Sequence, residues 1–414
     1  MSNRGYVSLK IWMVNHYAEP YARHHNLALE LARRGHQVVI FASSFAHKTR
    51  TDTRLTKGEK VKCEFIDGVP FVWMRTPPYS GNNARRFYNM GVFAWRLWRA
   101  ARSVGFEAPE VIIGSTPHLF AALAAERLAR SFKVPFVLEV RDLWPQSIVD
   151  LYNLSDYHPV VWGLERIERY LYRRAARIIS LLPEAAEHME AKGADRDKVA
   201  WIPNGINTDL VPPPAQPSDD GVFTVMYAGA HGLANSLDTL LEAAQIVRSE
   251  AWGKEVRFRL VGDGPEKQRL VDMAIQKELD NVCFNNSVPR NMIYDILREA
   301  DVFVMPLKYS PVFRWGVSPN KLFDYLASAR PVIFSINSSN NPVQEARAGI
   351  TIPPEEPYSL VQAIKELLET SPEERWQMGL RGREYVEKYH SFAFLGNKLE
   401  KILCDVVNKG NGNK

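Results

Sequence analysis

The chain has 414 residues, 46% hydrophobic, 24% charged and 11% aromatic, which excludes a disordered chain, a collagen-like repeat or a disulfide scaffold and fits two domains of about 200 residues. Its three cysteines, Cys63, Cys283 and Cys404, lie too far apart for a zinc site or a disulfide framework and fit a reducing compartment, so a cytoplasmic location is expected. The net charge of +5 is uneven, with 17 basic against 6 acidic side chains in the first 102 residues, so the N-terminal half is suited to an anionic partner, a membrane surface sooner than nucleic acid. No run approaches the roughly 18 apolar residues of a membrane span, and Met1–Lys10 lacks the apolar core of a signal peptide.

In chain order, the strand-like run 9–14 is followed by a polar loop and by 27–34 at helical spacing, closed by Gly35, with a second strand at 38–41. This β-α-β unit continues with strand-like runs at 111–113, 136–138, 177–179 and 200–202, separated by helical stretches. A parallel sheet with crossover helices follows. The segment 211–221, V-P-P-P-A-Q-P-S-D-D-G, carries four prolines that remove donors and fix φ, and reads as an interdomain linker. Strand-like runs resume at 223–227, 257–261, 282–284, 302–305 and 332–334. The expected architecture is α/β, two doubly wound parallel-sheet domains, with ligands beyond the carboxyl ends of the strands in the cleft between them. The expected division is 1–210, the linker, 222–390, and a C-terminal helix over 391–414 packing back toward the first domain.

The densest chemical signal is Ser318-Pro319-Asn320-Lys321-Leu322-Phe323-Asp324. Pro319 starts a helix whose free N–H groups suit an anion, Lys321 adds a cation, and Asp324 lies one turn further on the same face. Phosphate plus a ribose hydroxyl matches this pairing; an ordinary capped helix with an exposed ion pair matches it too. Gly229, Ala230, His231, Gly232 and Asn235 follow a strand, as do Gly262 and Gly264; small residues there let a diphosphate approach the backbone. Asp195-Arg196-Asp197 sits in a charged loop and is a poor metal site, and the adjacent His24 and His25 point to different sides. His118, at a strand end after Ser115-Thr116-Pro117, is suited to touch a ligand or to start a helix with no further role.

Residues 85–102 interleave arginines with Phe87, Tyr88, Phe93, Trp95 and Trp98 and contain no acid. A basic, aromatic amphipathic helix of this kind lies well in an anionic membrane interface, although the same aromatics could form core. The charge-balanced segment 165–174 reads as a surface helix.

Jointly, these motifs, with Arg33–Val38, Val140–Pro145, Trp201–Asn207 and Arg330-Pro331-Val332, resemble the retaining glycosyltransferases of family 4, in the bacterial subgroup that builds O-antigen, capsule or exopolysaccharide. The resemblance implies the GT-B fold of two Rossmann-like domains. It further implies a nucleotide-sugar donor (UDP or GDP), no metal or other cofactor, and a glycan acceptor on a polyprenyl diphosphate at the inner membrane surface. On the donor side it implies Gly229, His231, Gly232, Asn235, Gly262, Gly264, Pro319, Asn320, Lys321, Leu322 and Asp324; as catalytic groups His118, Asp142 and Lys321; and on the acceptor side Asn15, Arg23 and Arg141, the last able instead to pair with Glu139.

The chain departs from the family where Gly316 and Asp324 occupy the two acid positions of Glu-x7-Glu, and where His231 and Asn235 replace an Arg and a Lys. Lys321 therefore bears more of the diphosphate charge, with Arg314 as a second cation or a solvent-facing side chain. Two other readings are a non-catalytic nucleotide-sugar-binding subunit and a GT-B nucleotide-sugar 2-epimerase. A dinucleotide-dependent oxidoreductase is disfavoured because the stretch after the first strand, Tyr17 to His25, has no glycine.

Overall fold

The computed structural model describes residues 8–412 except 48, 82–83, 117, 147–148, 150–154, 156–157 and 218–220; Pro117 and the 218–220 end of the proline-rich segment lie outside the described residues. The chain divides into two compact units, Met1–Pro203 with Phe392–Lys414, and Asn204–Ser391.

The first unit contains β1 (Lys10–Val14), β2 (Gln37–Ser43), a short antiparallel pair β3 (Phe45–Ala46) and β4 (Thr51–Asp52), β5 (Val61–Ile66), β6 (Val69–Met74), β7 (Val111–Ser115), β8 (Phe136–Val140), β9 (Arg177–Ser180) and β10 (Val199–Trp201). Its main sheet runs β10-β9-β8-β7-β1-β2-β6-β5, parallel throughout except that β5 is antiparallel to β6. The β5–β6 hairpin escaped the reading for apolar runs. Its signal was the Asp67-Gly68 dipeptide, whose φ values of 48° and 84° form the two-residue turn that matches strand twist.

The second unit contains β11 (Phe223–Ala228), β12 (Val256–Val261), β13 (Val282–Asn285), β14 (Val302–Pro306), β15 (Val332–Ser335) and β16 (Gly349–Ile352), in the all-parallel order β13-β12-β11-β14-β15-β16. Near-continuous apolar runs such as β14 are buried along their whole length because crossover helices cover both faces of a parallel sheet. Strand order reverses between β7 and β1 in the first sheet and between β11 and β14 in the second. A crevice opens at such a point because the connecting chains leave in opposite directions.

The proline-rich segment is not the boundary. The units part at Pro203/Asn204 and Ser391/Phe392, and residues 211–217 belong to the second unit. Val211 joins its core, and the Pro212 and Ala215 carbonyls accept from Arg383 Nη1 (2.7 Å) and Arg330 Nη1 (2.8 Å). Prolines cannot donate to a ladder, but their carbonyls still accept. Asn204 is tied down as well: its backbone N–H donates to Ser318 Oγ at 2.7 Å and its Nδ2 to Ser318 O at 2.6 Å.

The C-terminal helix Phe392–Gly412 completes the first unit. Leu395, Leu399 and Leu403 enter one core with Leu27, Ala28 and Leu31 of the helix Arg23–Arg33. A Cβ on Gly396 would stand 2.8 Å from Glu30 Cβ, so the helices cross where only hydrogen fits.

Candidate active site

In the second unit, β11 runs into Gly229-Ala230-His231-Gly232 at the point of strand reversal. Tyr227 is the last large side chain of that strand, and its hydroxyl donates to Ala230 O at 2.6 Å, folding the turn back on the strand. Lys321, in the first turn of the helix Asn320–Ala327, reaches this turn: its Nζ donates to Tyr227 Oη at 2.8 Å and to Asn235 Oδ1. Asn235 in turn donates to Ala230 O at 2.8 Å. Lys321 thus sits against neutral oxygens, and burial pushes its pKa down to about 7.

The helix is anchored by Tyr325, whose hydroxyl donates to Ala228 O and accepts from Ala228 N–H, both at 2.8 Å. Sequence reading missed this tie. The side chain of Leu322, expected on the donor side, is fully buried core, because it points inward one position after Lys321. Pro319 is the N-cap and Asn320 is exposed at the helix start.

Asp324 does not pair with Lys321. Its carboxylate takes a bidentate fork from Arg290 (2.5 and 2.7 Å) and a bond from Tyr294 Oη (3.0 Å), so a ribose hydroxyl would have to share oxygens already engaged. Arg290 opens a 3-10 turn after β13, too far along the chain for helical spacing to reveal. Arg330 is likewise internal: its guanidinium donates to the carbonyls of Ala300, Arg298 and Ala215. Arg314 lies exposed over the Trp315 ring, 4.0 Å from its centroid.

The strand-end glycines answer first to backbone packing. Gly229 N–H donates to Val261 O and His231 N–H to Asp263 O, both at 2.9 Å. Gly262 has a φ of 150°, and a Cβ there would strike Gly229 O, while one on Gly264 would strike His231 O. Gly232 meets no such limit. His231 is buried with both ring nitrogens lacking a hydrogen-bond partner; burial, with Lys267 adding to it, pushes its pKa down to about 4.

In the first unit, Asn15 and Arg23, expected on the acceptor side, are held in a buried network. Asn15 is fully buried, with Nδ2 3.2 Å from Ser115 Oγ and Oδ1 accepting from Tyr17 N–H. Arg23 Nε donates to Glu139 Oε1 at 2.9 Å, and its remaining nitrogens go to the carbonyls of Pro203 and Ile202. Glu139 therefore pairs with Arg23 and His24 (2.6 Å), not with Arg141. Arg141 and Asp142 follow β8. Arg141 N–H donates to Thr116 Oγ1 at 2.9 Å, its Nε is buried without a partner, and Asp142 is exposed. His118, after β7, is buried beside His16. Asp195 Oδ1 accepts from Asp197 N–H and caps the turn 196–198, a structural use of that acidic pair.

The helix Ala84–Ala100 buries Met90, Phe93, Leu97 and Ala100 and leaves Phe87, Tyr88, Trp95 and Trp98 exposed, Trp95 by 55%. Arg99 lies over the Trp95 ring and Arg102 over the Trp98 ring, 5.1 and 4.7 Å from the centroids. Only Phe93 of its aromatics is core. On the helix Pro159–Arg174, Trp162 is also exposed beneath Arg166.

Residues 20–205 match the model of a glycosyl transferase 4-like domain, and residues 222–370 that of the glycosyl transferases group 1. The chain belongs to the GT-B glycosyltransferases. This glycosyltransferase is 24% identical to a putative colanic acid biosynthesis glycosyl transferase, WcaI, of Escherichia coli, over 82% of this chain and 86% of that one. It is 23% identical to the probable glycosyltransferase WbjE of Pseudomonas aeruginosa over 63% of this chain, and the aligned part spans 66% of that relative. With the alpha-D-kanosaminyltransferase of Streptomyces kanamyceticus it shares 22% identity, over 63% of that relative. Its fold is similar to that of sucrose-phosphate synthase from Thermosynechococcus elongatus (TM-score 0.74, 17% identity, 96% and 99% of the two chains) and of Anabaena HepE in complex with UDP and glucose (TM-score 0.67, 14% identity, 96% and 99%).

Proposed function

We propose that this glycosyltransferase moves a sugar, with its anomeric configuration kept, from a UDP- or GDP-sugar to a glycan acceptor carried on a polyprenyl diphosphate, in cell-surface polysaccharide biosynthesis on the cytoplasmic side of the membrane. The observation that carries this reading is Lys321: a half-buried amine, held against Tyr227 and Asn235 at the strand reversal of the second sheet, is placed to take the charge of a leaving diphosphate. The N-terminal N–H groups of its helix add to that field, so the diphosphate charge is met without a metal. The leaving β-phosphate oxygen then accepts the acceptor's proton on the face where the new bond forms. His118 and Asp142, at strand ends of the first sheet, meet the sugar or acceptor, and Arg141 a phosphate of the acceptor. The relatives' names in colanic acid biosynthesis and the UDP-bound fold neighbour support donor and pathway class.

A thermal-shift comparison of UDP, GDP, ADP and TDP tests the donor site. One diphosphate is expected to raise the melting temperature selectively, by an amount corresponding to about 2.7 kcal/mol at a hundred times its Kd. No shift with any of the four at millimolar concentration would overturn the reading.

Among the described residues no helix is long and apolar enough to cross a membrane, so the exposed tryptophans and arginines of the helix Ala84–Ala100 carry the membrane part. Sedimentation with vesicles containing anionic lipid is expected to bring the protein down in low salt, less so as salt rises. The double change Trp95→Ala, Trp98→Ala is expected to weaken partitioning on the order of tenfold or more. Binding that is equal in both proteins, or equal on uncharged vesicles, counts against this face.

A further inference from the structure

At the carboxyl ends of β2 and β6, three elements of the first unit meet around a cavity of about 370 Å³. The antiparallel pair β3–β4 and its turn supply Arg50 and Asp52, the exit of β6 supplies Arg75, and the helix Ala84–Ala100 supplies Arg96. Arg50 is exposed and the other three are half-buried.

Most of this positive charge meets no acid. Arg75 is held by carbonyls: its Nε donates to Glu59 O at 2.7 Å, and its Nη2 to Leu55 O (3.2 Å) and Thr56 O (2.6 Å). Its Nη1 faces Asp52 Oδ2 at 3.7 Å, an ion pair longer than a hydrogen bond, and that oxygen already accepts from Ser44 Oγ at 2.8 Å. Arg96 Nη1 donates to Arg75 O. Arg50 Nη1 reaches Tyr79 O at 3.5 Å, with its guanidinium over the Tyr79 ring. Those partners are neutral. Among the described residues no hydrogen-bond acceptor takes Arg75 Nη1, or the Nε and Nη2 of Arg50 and Arg96.

Like charges gathered where water is partly excluded repel one another: burial, and after it the charge of Arg75, pulls the Arg96 pKa below its ordinary value. An anion in the cavity relieves that repulsion. Three guanidiniums and one carboxylate leave two positive charges, which match a dianion, and planar N–H forks fit phosphate oxygens in pairs. Phe45 and Pro77 on the wall keep water from one side and strengthen the attraction.

We propose that this cavity binds a dianionic phosphate, a phosphomonoester or a diphosphate. Arg96 lies between Trp95 and Trp98 on the helix read above as the membrane face, which makes a lipid headgroup the source of that phosphate; the source rests on the membrane reading, whereas the site does not.

The test sediments the full chain with phosphatidylcholine vesicles carrying phosphatidic acid, a monoester, or phosphatidylglycerol, a diester, at matched surface charge, and titrates it calorimetrically with inorganic pyrophosphate. Wild type is expected to bind the monoester vesicles about tenfold more tightly than the diester ones, as one charged hydrogen-bonded contact allows. The double change Arg50→Gln, Arg96→Gln is expected to remove that preference, and Arg50→Gln alone, at an exposed side chain, to reduce it without touching the fold. Arg99→Gln with Arg102→Gln takes the same charge from outside the cavity and is expected to weaken both lipids alike, leaving the preference in place. Pyrophosphate binding that the Arg50 and Arg96 changes abolish, without any preference between the lipids, supports the site and gives it a soluble phosphate. A lipid preference that survives in both cavity variants overturns the proposal. So does the absence of any preference in wild type when the cavity variants leave pyrophosphate binding as it was. Wild type that sediments with neither vesicle overturns the membrane reading and the lipid source, and the pyrophosphate titration then decides the site.

Discussion

Replacing Lys321 with alanine is expected to abolish stabilisation by nucleoside diphosphates while leaving the fold intact. The amine is half-buried against Tyr227 and Asn235, and charge attraction is stronger where water is partly excluded. Removing one partner of a buried charge pair costs about 2–5 kcal/mol, on the order of a hundredfold in UDP affinity. The fold tolerates the loss because Tyr227 keeps its bond to Ala230 O, and because a half-buried amine is itself costly. Since burial lowers this pKa to about 7, the ligand-free amine loses its charge as pH rises through that value. UDP must then restore the proton on binding, so its Kd is expected to climb above pH 7, approaching tenfold per unit. The same shift means that the unfolded chain holds more protons than the folded one between pH 7 and the ordinary lysine range, so ligand-free stability from this group rises with pH there. Titration calorimetry from pH 6 to 9 checks the binding; a flat profile in wild type contradicts it.

Glu139→Gln is expected to cost the first unit about 3–5 kcal/mol, a large share of the stability of an ordinary domain. The carboxylate and the Arg23 guanidinium are each 4% exposed, and Arg23 also secures the Pro203 and Ile202 carbonyls. Without the carboxylate a guanidinium remains buried and uncompensated, and the melting temperature should fall by roughly 10 °C. Burial alone would raise the Glu139 carboxyl, yet His24 and Arg23 beside it hold it well below the usual carboxylate range. A depressed folded pKa gives a contribution that is full above the ordinary carboxylate range and disappears as pH falls through the lowered value. Wild type and variant should therefore converge in acid. The double change Arg23→Met, Glu139→Leu should recover much of the loss, since it removes both charges; recovery that fails would show that the carbonyl bonds of Arg23 matter more than its charge. Chemical denaturation at several pH values reads each case.

Most strands of the two sheets were legible because parallel strands buried on two faces leave unbroken apolar runs, as at Val302–Pro306, whereas β5, β6 and β16, which lie at or next to sheet edges, leave weaker ones. Lys321 was legible for a different reason: a proline, a cation and a helix start form one local pattern. What stayed hidden depends on partners distant in sequence. Asp324 reads as the mate of Lys321 at helical spacing, but Arg290 and Tyr294 come from another loop and take its oxygens. Asn15 and Arg23 read as polar loop residues, yet they close a buried network whose acid lies more than a hundred residues away. The prolines at 212–217 were read for the donors they lack, while two arginines use the acceptors they keep.

The helix Phe392–Gly412 sets the order in which this polypeptide can mature. A ribosome finishes the whole of the second unit before it supplies Leu395, Leu399 and Leu403, so the nascent first unit waits with Leu27, Ala28 and Leu31 uncovered. A later-made segment can nucleate and settle ahead of an earlier one. This helix, made after 204–391, is then the clasp that ends the period of vulnerability to aggregation, and the speed of translation through 204–391 fixes how long that period lasts.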